Sequence, residues 1–360
     1  MASSVSGEQG NGQSTGGHTP DPNRNPGSDL LKLGAPVGLI VVIAFFLTFR
    51  FVDPAPPSAI VLATGEDGGA YAVFGEAYRE RLRAFEIDVA LRSSAGTAEN
   101  LELLLRGEAD VAFVQGGVAN AAAFAELETL GSLYYEPLWA FHRSDLRAAL
   151  LTDFSGLRLA IGSEGSGTRA VAKALLAANG IEAGLVDLAG RASVDALLAG
   201  EIDVAFLIAS PDSALVRELL LSDVVSPFSF RRAEAYTRTH RYLSHVTLPE
   251  GMIDYARNIP HQPIELVAPT AQLVVLKDLH PALVDLMAQS AGAIHGAGGV
   301  FEGPGSFPTP AFVDLELNPE ARRYYEYGPP FLQRYLPFWL ATMVDRLKVM
   351  LIPLLSLIHI

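Results

Sequence analysis

Through the middle of the chain, short apolar runs alternate with longer stretches in which apolar residues recur at helical spacing. The runs AIVLAT (59–64), DVALRS (88–93) and ADVAFVQ (109–115) predict buried strands. Between them, AYAVFGEAYRERLRAF (70–85) and TAENLELLLRG (97–107) predict helices. Strands that alternate with helices in this way predict an α/β fold with parallel strand pairing.

One pattern, L-L-x-G-E-x-D-V-A-F, occurs twice, within LLLRGEADVAF (103–113) and ALLAGEIDVAF (196–206). The two copies are offset by 93 residues, from Gly107 to Gly200. Each glycine is expected to end a helix, and each aspartate to lead into a buried strand. A repeated helix–turn–strand unit of this kind predicts two similar α/β lobes.

Three extended segments are predicted to carry the chain between these lobes. SLYYEPLWAFHR (132–143) would cross from the first lobe to the second. LSHVTLPEGMI (243–253) and IELVAPTAQLVVL (264–276) would return the chain to the first. The predicted first lobe therefore comprises 59–140 and 246–315, and the predicted second lobe comprises 141–245.

The N-terminal part of the chain has a different composition. Residues 1–30 are rich in Gly, Ser, Asn and Pro, which predicts a disordered polar tail. Residues 33–49 contain no charged side chain, so 31–52 is predicted to be a transmembrane helix. A cleavable signal peptide is disfavoured, because a long polar segment precedes the apolar run. DPAPPS (53–58) would be a stiff linker.

The C-terminal part also suggests contact with lipid. RYYEYGPPFLQRYLPFW (323–339) is rich in aromatic residues and proline, and 316–346 is predicted to be a juxtamembrane amphipathic segment. The apolar run 349–360 is too short to span a bilayer. Residues 347–360 are therefore expected to be either an interfacial helix or the start of a second membrane helix that is cut short.

Charge and cysteine content exclude several functions. A net charge of −14 and a pI near 5.0 argue against a nucleic-acid partner. The chain has no cysteine, so disulfides and thiolate metal sites are excluded. The histidines lack the spacing of zinc ligands, and no metal or other cofactor is predicted. The histidines considered are His142, His240, His245 and His261.

Three polar turns lie where a ligand would bind in such a fold. They are ATGEDGGAY (63–71), RSSAGTAEN (92–100) and GSEGSGTRA (162–170). Ligands of open α/β sheets bind at the carboxyl ends of the strands, beside helix N-termini that favour anions. Gln115 ends a predicted strand, so its amide could reach the same space.

The third turn has a composition suited to a carboxylate. Gly165 and Gly167 would allow close backbone approach, and Ser166 and Thr168 would supply hydroxyl groups. The free N–H groups of residues 167–169 would point into the cleft. The turn lacks the lysine of a phosphate-binding P-loop and the third glycine of a dinucleotide-binding fingerprint. The alternative is a helix N-cap and a tight turn without a ligand.

Three arginines near the predicted turns could clamp a carboxylate through paired hydrogen bonds. They are Arg92, Arg169 and Arg191. Arg169 is the first choice, because it belongs to the third turn. For each of them, a solvated surface position is the alternative.

In these turns the sequence resembles the TAXI-type solute-binding proteins of tripartite ATP-independent periplasmic (TRAP) transporters. The matching motifs are ATGEDGGAYAVFG, SAGTAENLELLLRGEADVAFVQ and LRLAIGSEGSGTRAVAKALLAANGI, and the resemblance covers about 58–315. It implies a two-lobed periplasmic-binding-protein fold of type II, with two crossovers. Here that fold would carry an N-terminal transmembrane helix and a C-terminal apolar helix.

The resemblance also implies a function and a set of site residues. The lobes would close on a small organic anion, an amino acid or a carboxylic acid, and pass it to membrane permease subunits. Carried over by position, the cleft would be lined by Thr64, Gly65, Tyr71, Ser94, Thr97, Asn100, Gln115, Ser166, Gly167 and Thr168.

Two features depart from that family. Glu66 and Asp67 stand where small residues are usual. They could repel a plain anion, pair with an amino group or a metal ion, or form a solvated loop. The predicted anchor is the second departure, since typical members are released into the periplasm. We therefore expect a binding domain tethered to the inner membrane on its extracytoplasmic side.

Two other functions are considered beside transport. A membrane-tethered sensor could use the same cleft closure to signal to a partner. An enzyme is disfavoured, because no nucleophile–base pair, metal cluster or pair of carboxylates can be assembled from the turns. The chain is thus expected to bind its ligand without chemical conversion.

Overall fold

The computed structural model describes residues 56–66 and 68–344, together with the single positions 39, 42, 43 and 46. Residues 55–342 cluster as one compact unit. The predicted polar tail 1–30, nearly all of the predicted transmembrane helix 31–52 and the apolar end 347–360 lie outside the described residues. Among the helices that are described, none is both long enough and apolar enough to span a bilayer.

The N-terminal part of the unit alternates strands and helices as its sequence pattern predicts. The elements are β1 (Ala59–Ala63), α1 (Ala70–Arg83), β2 (Asp88–Arg92), α2 (Thr97–Leu105), β3 (Val111–Gln115), α3 (Ala121–Glu126) and β4 (Leu127–Tyr135). Apolar residues of β1 and β3 are buried on both faces of the sheet, which explains why their sequences are continuous apolar runs.

The central part forms the second lobe. Its elements are β5 (Leu138–Arg143), a 3₁₀ turn (Leu151–Phe154), β6 (Arg158–Ala160), α4 (Gly167–Ala178), β7 (Gly184–Val186), α5 (Gly190–Leu198), β8 (Val204–Ile208), α6 (Ala214–Leu220), β9 (Val225–Pro227), α7 (Ala233–Thr239), β10 (Ser244–Leu248) and β11 (Ile264–Ala268). The chain then returns through β12 (Thr270–Leu276), α8 (Pro281–His295), α9 (Pro319–Tyr327), a 3₁₀ turn (Leu332–Arg334) and helical residues 338–344.

The strands form one sheet in each lobe. Within the described residues, the first sheet has the order β2-β1-β3-β12-β4, and β12 runs antiparallel to both of its neighbours. The second sheet has the order β10-β11-β5-β8-β6-β7, with β9 also paired to β5. The described part of the molecule is therefore an α/β protein of two lobes, each built on one mixed sheet.

Two short crossings join the lobes. Glu136 and Pro137 separate β4 from β5, and Pro269 alone separates β11 from β12. The Glu136 N–H donates to the Pro269 carbonyl at 2.9 Å, so the two crossings are bonded to each other. We call these three residues the hinge.

The lobe boundaries differ from those predicted from the sequence. The strands of the second lobe extend from 138 to 268, whereas the sequence pattern placed this lobe at 141–245. β10 and β11 pair antiparallel, from Ser244 with Ala268 to Leu248 with Ile264, and this pair forms one edge of the second sheet. Alternating apolar residues identify both strands, but that alternation does not show which sheet a strand joins.

The repeated sequence pattern has the same structure in both lobes. Gly107 and Gly200 follow their helices with positive φ, +66° and +74°, a conformation that glycine adopts without strain. Asp110 Oδ2 accepts a hydrogen bond from the Val61 N–H at 2.7 Å. Asp203 Oδ2 accepts the equivalent bond from the Arg158 N–H at 2.9 Å. Each repeated aspartate thus fixes its strand against the neighbouring parallel strand, β1 in the first lobe and β6 in the second.

Candidate ligand-binding cleft

The two polar turns of the first lobe, 63–71 and 92–100, meet beside the end of β3. The Thr64 carbonyl accepts the Asn100 side-chain amide, which also donates to the Phe113 carbonyl at 2.8 Å. The Ser94 hydroxyl lies 2.6 Å from Asn100 Oδ1. Asn100 is fully buried, and protein groups occupy its donors and its acceptor. We therefore assign Asn100 and Ser94 to positioning the turns.

The first turn passes beside the Tyr71 ring at position 65. A Cβ on Gly65 would lie 3.4 Å from the Tyr71 ring, and the Gly65 carbonyl accepts the Ser93 hydroxyl at 3.0 Å. The Glu66 side chain is exposed, and its carbonyl accepts the Gly69 N–H at 3.0 Å. Asp67 lies outside the described residues. The described contacts of the first turn at Gly65 and Glu66 are therefore made by their backbone carbonyls.

Tyr71 connects the turns to the hinge. Its ring stacks on Phe113 with a centroid distance of 5.2 Å, and its hydroxyl donates to Glu136 Oε2 at 3.0 Å. The hydroxyl also interacts with that of Thr97. Thr97 Oγ1 in turn accepts the Gln115 N–H at 3.0 Å. A continuous polar path thus runs from the hinge carboxyl to the first residue of α2 and the last residue of β3.

Glu136 lies at one end of this polar path and was not predicted from the sequence. The residue is only 7% exposed. Burial raises the pKa of its carboxyl to about 8, although the hydrogen bond from Tyr71 lowers it. The available signal was its place as the one charged residue in SLYYEPLWAF (132–141). A carboxyl inside an apolar strand-like run is costly to bury, and such groups are enriched at functional sites.

The second lobe contributes the N-terminus of α4. Ser166 is the N-cap, since its Oγ accepts the Arg169 N–H at 3.2 Å and donates to the Ser163 carbonyl at 2.8 Å. The Ser166 hydroxyl therefore serves the turn itself, as the structural alternative proposed. The half-buried Thr168 hydroxyl, by contrast, makes no hydrogen bond to any described residue. Thr168 is consequently the better candidate for contact with a ligand.

The two lobes touch where these turns face each other. Gln115 Nε2 in the first lobe donates to the Gly167 carbonyl in the second at 3.2 Å. A Cβ on Gly165 would lie 3.9 Å from the Ala98 Cβ, so the N-termini of α2 and α4 are opposed. We call the space between 64–71, 93–98 and 115 on one side and 163–168 on the other the cleft. Its two walls are in contact, which is a closed arrangement of the lobes.

Backbone groups give the cleft its positive potential. The N–H groups of Thr97 and Ala98 on α2, and of Gly167 and Thr168 on α4, have no acceptor among the described residues. Unpaired N–H groups and the helix dipole together favour an anion at each helix end. Two such ends facing one gap make the cleft suitable for a carboxylate.

The predicted arginine clamps are bound elsewhere. Arg169 Nη1 donates to the Gly162 carbonyl at 2.9 Å and to Asp187 Oδ1 at 3.1 Å, both within the second lobe. Arg92 pairs with Glu108 at 3.1 Å. Arg191 also forms ion pairs, with Asp195 and Glu218. Apart from the i,i+4 pair of Arg191 with Asp195, these ion pairs join residues at least 16 positions apart within one lobe. In this arrangement the three arginines are paired within their own lobes and do not clamp a carboxylate.

The sequence from residue 62 to residue 291 matches the NMT1-like family. The chain belongs to the NMT1-like family. The matched region includes the second sheet, the first sheet apart from residues 59–61, the hinge and all of the cleft residues predicted from the sequence. No curated protein matches this NMT1-like chain.

Solved structures with low sequence identity also align with this NMT1-like chain. A protein from Bordetella bronchiseptica RB50 aligns at 16% identity and TM-score 0.49, covering 76% of this chain and 99% of that one. The periplasmic aliphatic sulphonate binding protein SsuA from Escherichia coli aligns at 12% identity and TM-score 0.44, covering 67% and 74%. The amino acid ABC transporter substrate-binding protein AbpA from Streptococcus pneumoniae, bound to L-arginine, aligns at 14% identity and TM-score 0.43, covering 66% and 89%. Membership of the TAXI group stays a prediction.

Proposed function

We propose that this protein is a solute-binding protein that captures a small organic anion, an amino acid or a carboxylic acid, between its two lobes. The observation that carries this proposal is the pair of opposed helix N-termini, bridged by the Gln115 to Gly167 hydrogen bond. Their free N–H groups would bind the carboxylate from both sides. The ligand is held and released without chemical conversion.

Closure of the lobes around the hinge is the proposed binding mechanism. The ligand contacts only one lobe when the cleft is open and both lobes when it is closed. Its differential affinity therefore favours the closed state. The hinge is short and contains two prolines, Pro137 and Pro269, which confine the motion to a few backbone torsions.

Delivery to a TRAP-type secondary transporter is the transport role that we propose. It is supported by the TAXI-like motifs of the sequence and by the uncharged run 33–49, which is long enough for a tether near the inner membrane. The cleft would then lie on the extracytoplasmic side, facing its permease subunits. Co-purification of the full chain with permease subunits would test this step separately from ligand binding.

Calorimetric titration tests ligand binding. The full chain is titrated with L-glutamate, L-glutamine, 2-oxoglutarate and C4-dicarboxylates, followed by the remaining proteinogenic amino acids. Saturable binding of at least one compound below millimolar concentration is expected. If no compound binds at millimolar concentration, the proposed function is wrong.

Exchanging Thr168 for valine is expected to weaken ligand binding about tenfold without lowering stability. The hydroxyl has no described protein partner, and loss of one hydrogen bond to a ligand costs about 1–1.5 kcal/mol. Ser166→Ala is the matched control, since removal of an N-cap lowers the free energy of unfolding by about 1 kcal/mol. Calorimetry and urea unfolding measure the two effects. An unchanged affinity in Thr168→Val would remove this hydroxyl from the binding site.

A further inference from the structure

Glu136 is a buried carboxyl group without a counter-ion. The residue is 7% exposed, and its one described side-chain hydrogen bond is the one donated by the Tyr71 hydroxyl. No described Lys, Arg or His side chain forms an ion pair with it. An ionised carboxylate with a single donor is poorly compensated when it is buried. Something outside the described contacts must therefore compensate it, or it must stay protonated.

The titratable side chains that interact with Glu136 in the described part of the chain are two tyrosines. α1 supplies the Tyr71 hydroxyl, and β4 supplies the nearby Tyr134, both with pKa values that burial raises well above 10. The second crossing supplies the Pro269 carbonyl, which already accepts the Glu136 N–H. Thr97 lies beyond Tyr71 on the polar path. The hinge thus contains a buried carboxyl group, and no described side chain supplies a positive charge to pair with it.

We propose that Glu136 binds a protonated amino group of the ligand while the opposed helix N-termini bind its carboxylate. The ligand class is then a zwitterionic amino acid and not the corresponding 2-oxo acid. This inference rests on the proposed function and narrows its ligand class.

The polar path places a group for each charge of an amino acid close together. Glu136 and Thr97, the first residue of α2, are both hydrogen-bonding neighbours of the Tyr71 hydroxyl. A carboxylate-binding helix end and a carboxyl group are therefore two hydrogen bonds apart. An amino acid supplies an anion to the first and a cation to the second. A 2-oxo acid supplies only the anion, and leaves Glu136 without a counter-ion.

A protonated Glu136 that donates to a ligand oxygen is the competing arrangement. It predicts that the 2-oxo acid binds at least as tightly as the amino acid. It also predicts that Glu136→Gln, which keeps a donor at this position, preserves binding. The two arrangements thus give opposite results with the same variant and the same ligands.

The test compares matched ligand pairs by calorimetry on the full chain. Each proteinogenic L-amino acid that binds is paired with its 2-oxo acid, beginning with L-glutamate and 2-oxoglutarate. We expect the amino acid to bind at least about tenfold more tightly to the wild type. Glu136→Gln should weaken amino acid binding at least about thirtyfold and change 2-oxo acid binding by less than about threefold, in line with an unpaired interfacial charge.

Glu128→Gln is the control variant. Glu128 is a second buried glutamate, near the start of β4, and its Oε2 accepts a hydrogen bond from the Asn318 side-chain amide at 2.7 Å. The Glu128→Gln variant should leave the ratio of the amino acid affinity to the 2-oxo acid affinity unchanged. Circular dichroism verifies that each variant is folded.

Proton release provides a second readout. With a pKa of about 8, Glu136 is mostly protonated at pH 7, and an ammonium group would drive it to ionise. Binding should therefore release close to one proton, measured from the dependence of the calorimetric heat on buffer ionisation. Affinity should rise about fiftyfold between pH 6 and pH 8. Glu136→Gln should show neither effect.

The possible failures separate this inference from the proposed function. If only 2-oxo acids or dicarboxylates bind, or if Glu136→Gln keeps the amino acid affinity, the proposed function stands and the role of Glu136 is wrong. If no compound of either class binds, both are wrong.

Discussion

Replacement of Gly167 with valine is expected to lower ligand affinity about tenfold, equivalent to about 1.4 kcal/mol. A Cβ at this position would lie 2.3 Å from Gln115 Oε1, and the extra methyl groups of valine need still more space. The Gln115 backbone is held by Thr97, so its side chain can make room only by losing the bond across the cleft. The variant would therefore lose the hydrogen bond that joins the two lobes, which weakens the closed state in which the ligand contacts both of them.

Gly184→Val is the matched control for this variant. Gly184 is an exposed residue of β7 in the same lobe, and the nearest atom to an added Cβ would be 3.6 Å away. Its ligand affinity should match that of the wild type in calorimetry. Wild-type affinity in Gly167→Val would show that the contact of the α2 and α4 N-termini is not needed for binding.

Glu136→Gln is expected to stabilise the fold at pH 8 by about 2–4 kcal/mol and to have little effect near pH 4.5. Burial raises the pKa of this carboxyl from 4.5 to about 8 in the folded protein. Below pH 4.5 both the folded and the unfolded chain are protonated at this position. As the pH rises from 4.5 to 8, the unfolded chain loses its proton while the folded chain keeps it, so the wild type becomes progressively less stable. Glutamine does not titrate and avoids this loss.

Urea unfolding without ligand at pH 4.5, 6 and 8 measures this difference. The stabilisation should grow with pH. A constant difference across the three pH values would contradict a raised pKa at the hinge. Together with the calorimetry, the variant would gain stability and lose amino acid affinity, as expected when a buried charge is kept for function.

Local patterns predicted much of the fold. Apolar runs located β1, β2 and β3 to within two residues, and the repeated L-L-x-G-E-x-D-V-A-F pattern predicted two lobes of related structure. The hydrogen bonds of Asp110 and Asp203 explain why this pattern is informative, because each aspartate makes the same contact in its own lobe. Such a signal is local in sequence and needs no knowledge of the sheet order.

Long-range contacts account for what the sequence did not predict. The partner of Arg169 is 18 residues away, at Asp187, and no spacing rule joins the two. The amide of Asn100 is consumed by the carbonyls of Thr64 and Phe113, which become neighbours only when β1 and β3 pair. Glu136 lies at the hinge because the chain returns to the first lobe at Pro269, whose carbonyl accepts the Glu136 N–H. Residue type therefore indicated the turns of the cleft, whereas tertiary pairing decides which side chains are free to bind.

The central claim is that a small ligand closes the two lobes, and a distance measurement between them tests it most directly. The chain contains no cysteine, so a pair introduced at the exposed positions Glu102 on α2 and Lys173 on α4 can carry spin labels without background. Pulsed dipolar spectroscopy of the labelled full chain should show a broad distance distribution alone and a narrow, shifted one with saturating ligand. A distribution that stays the same while calorimetry shows the ligand to be bound would contradict the account.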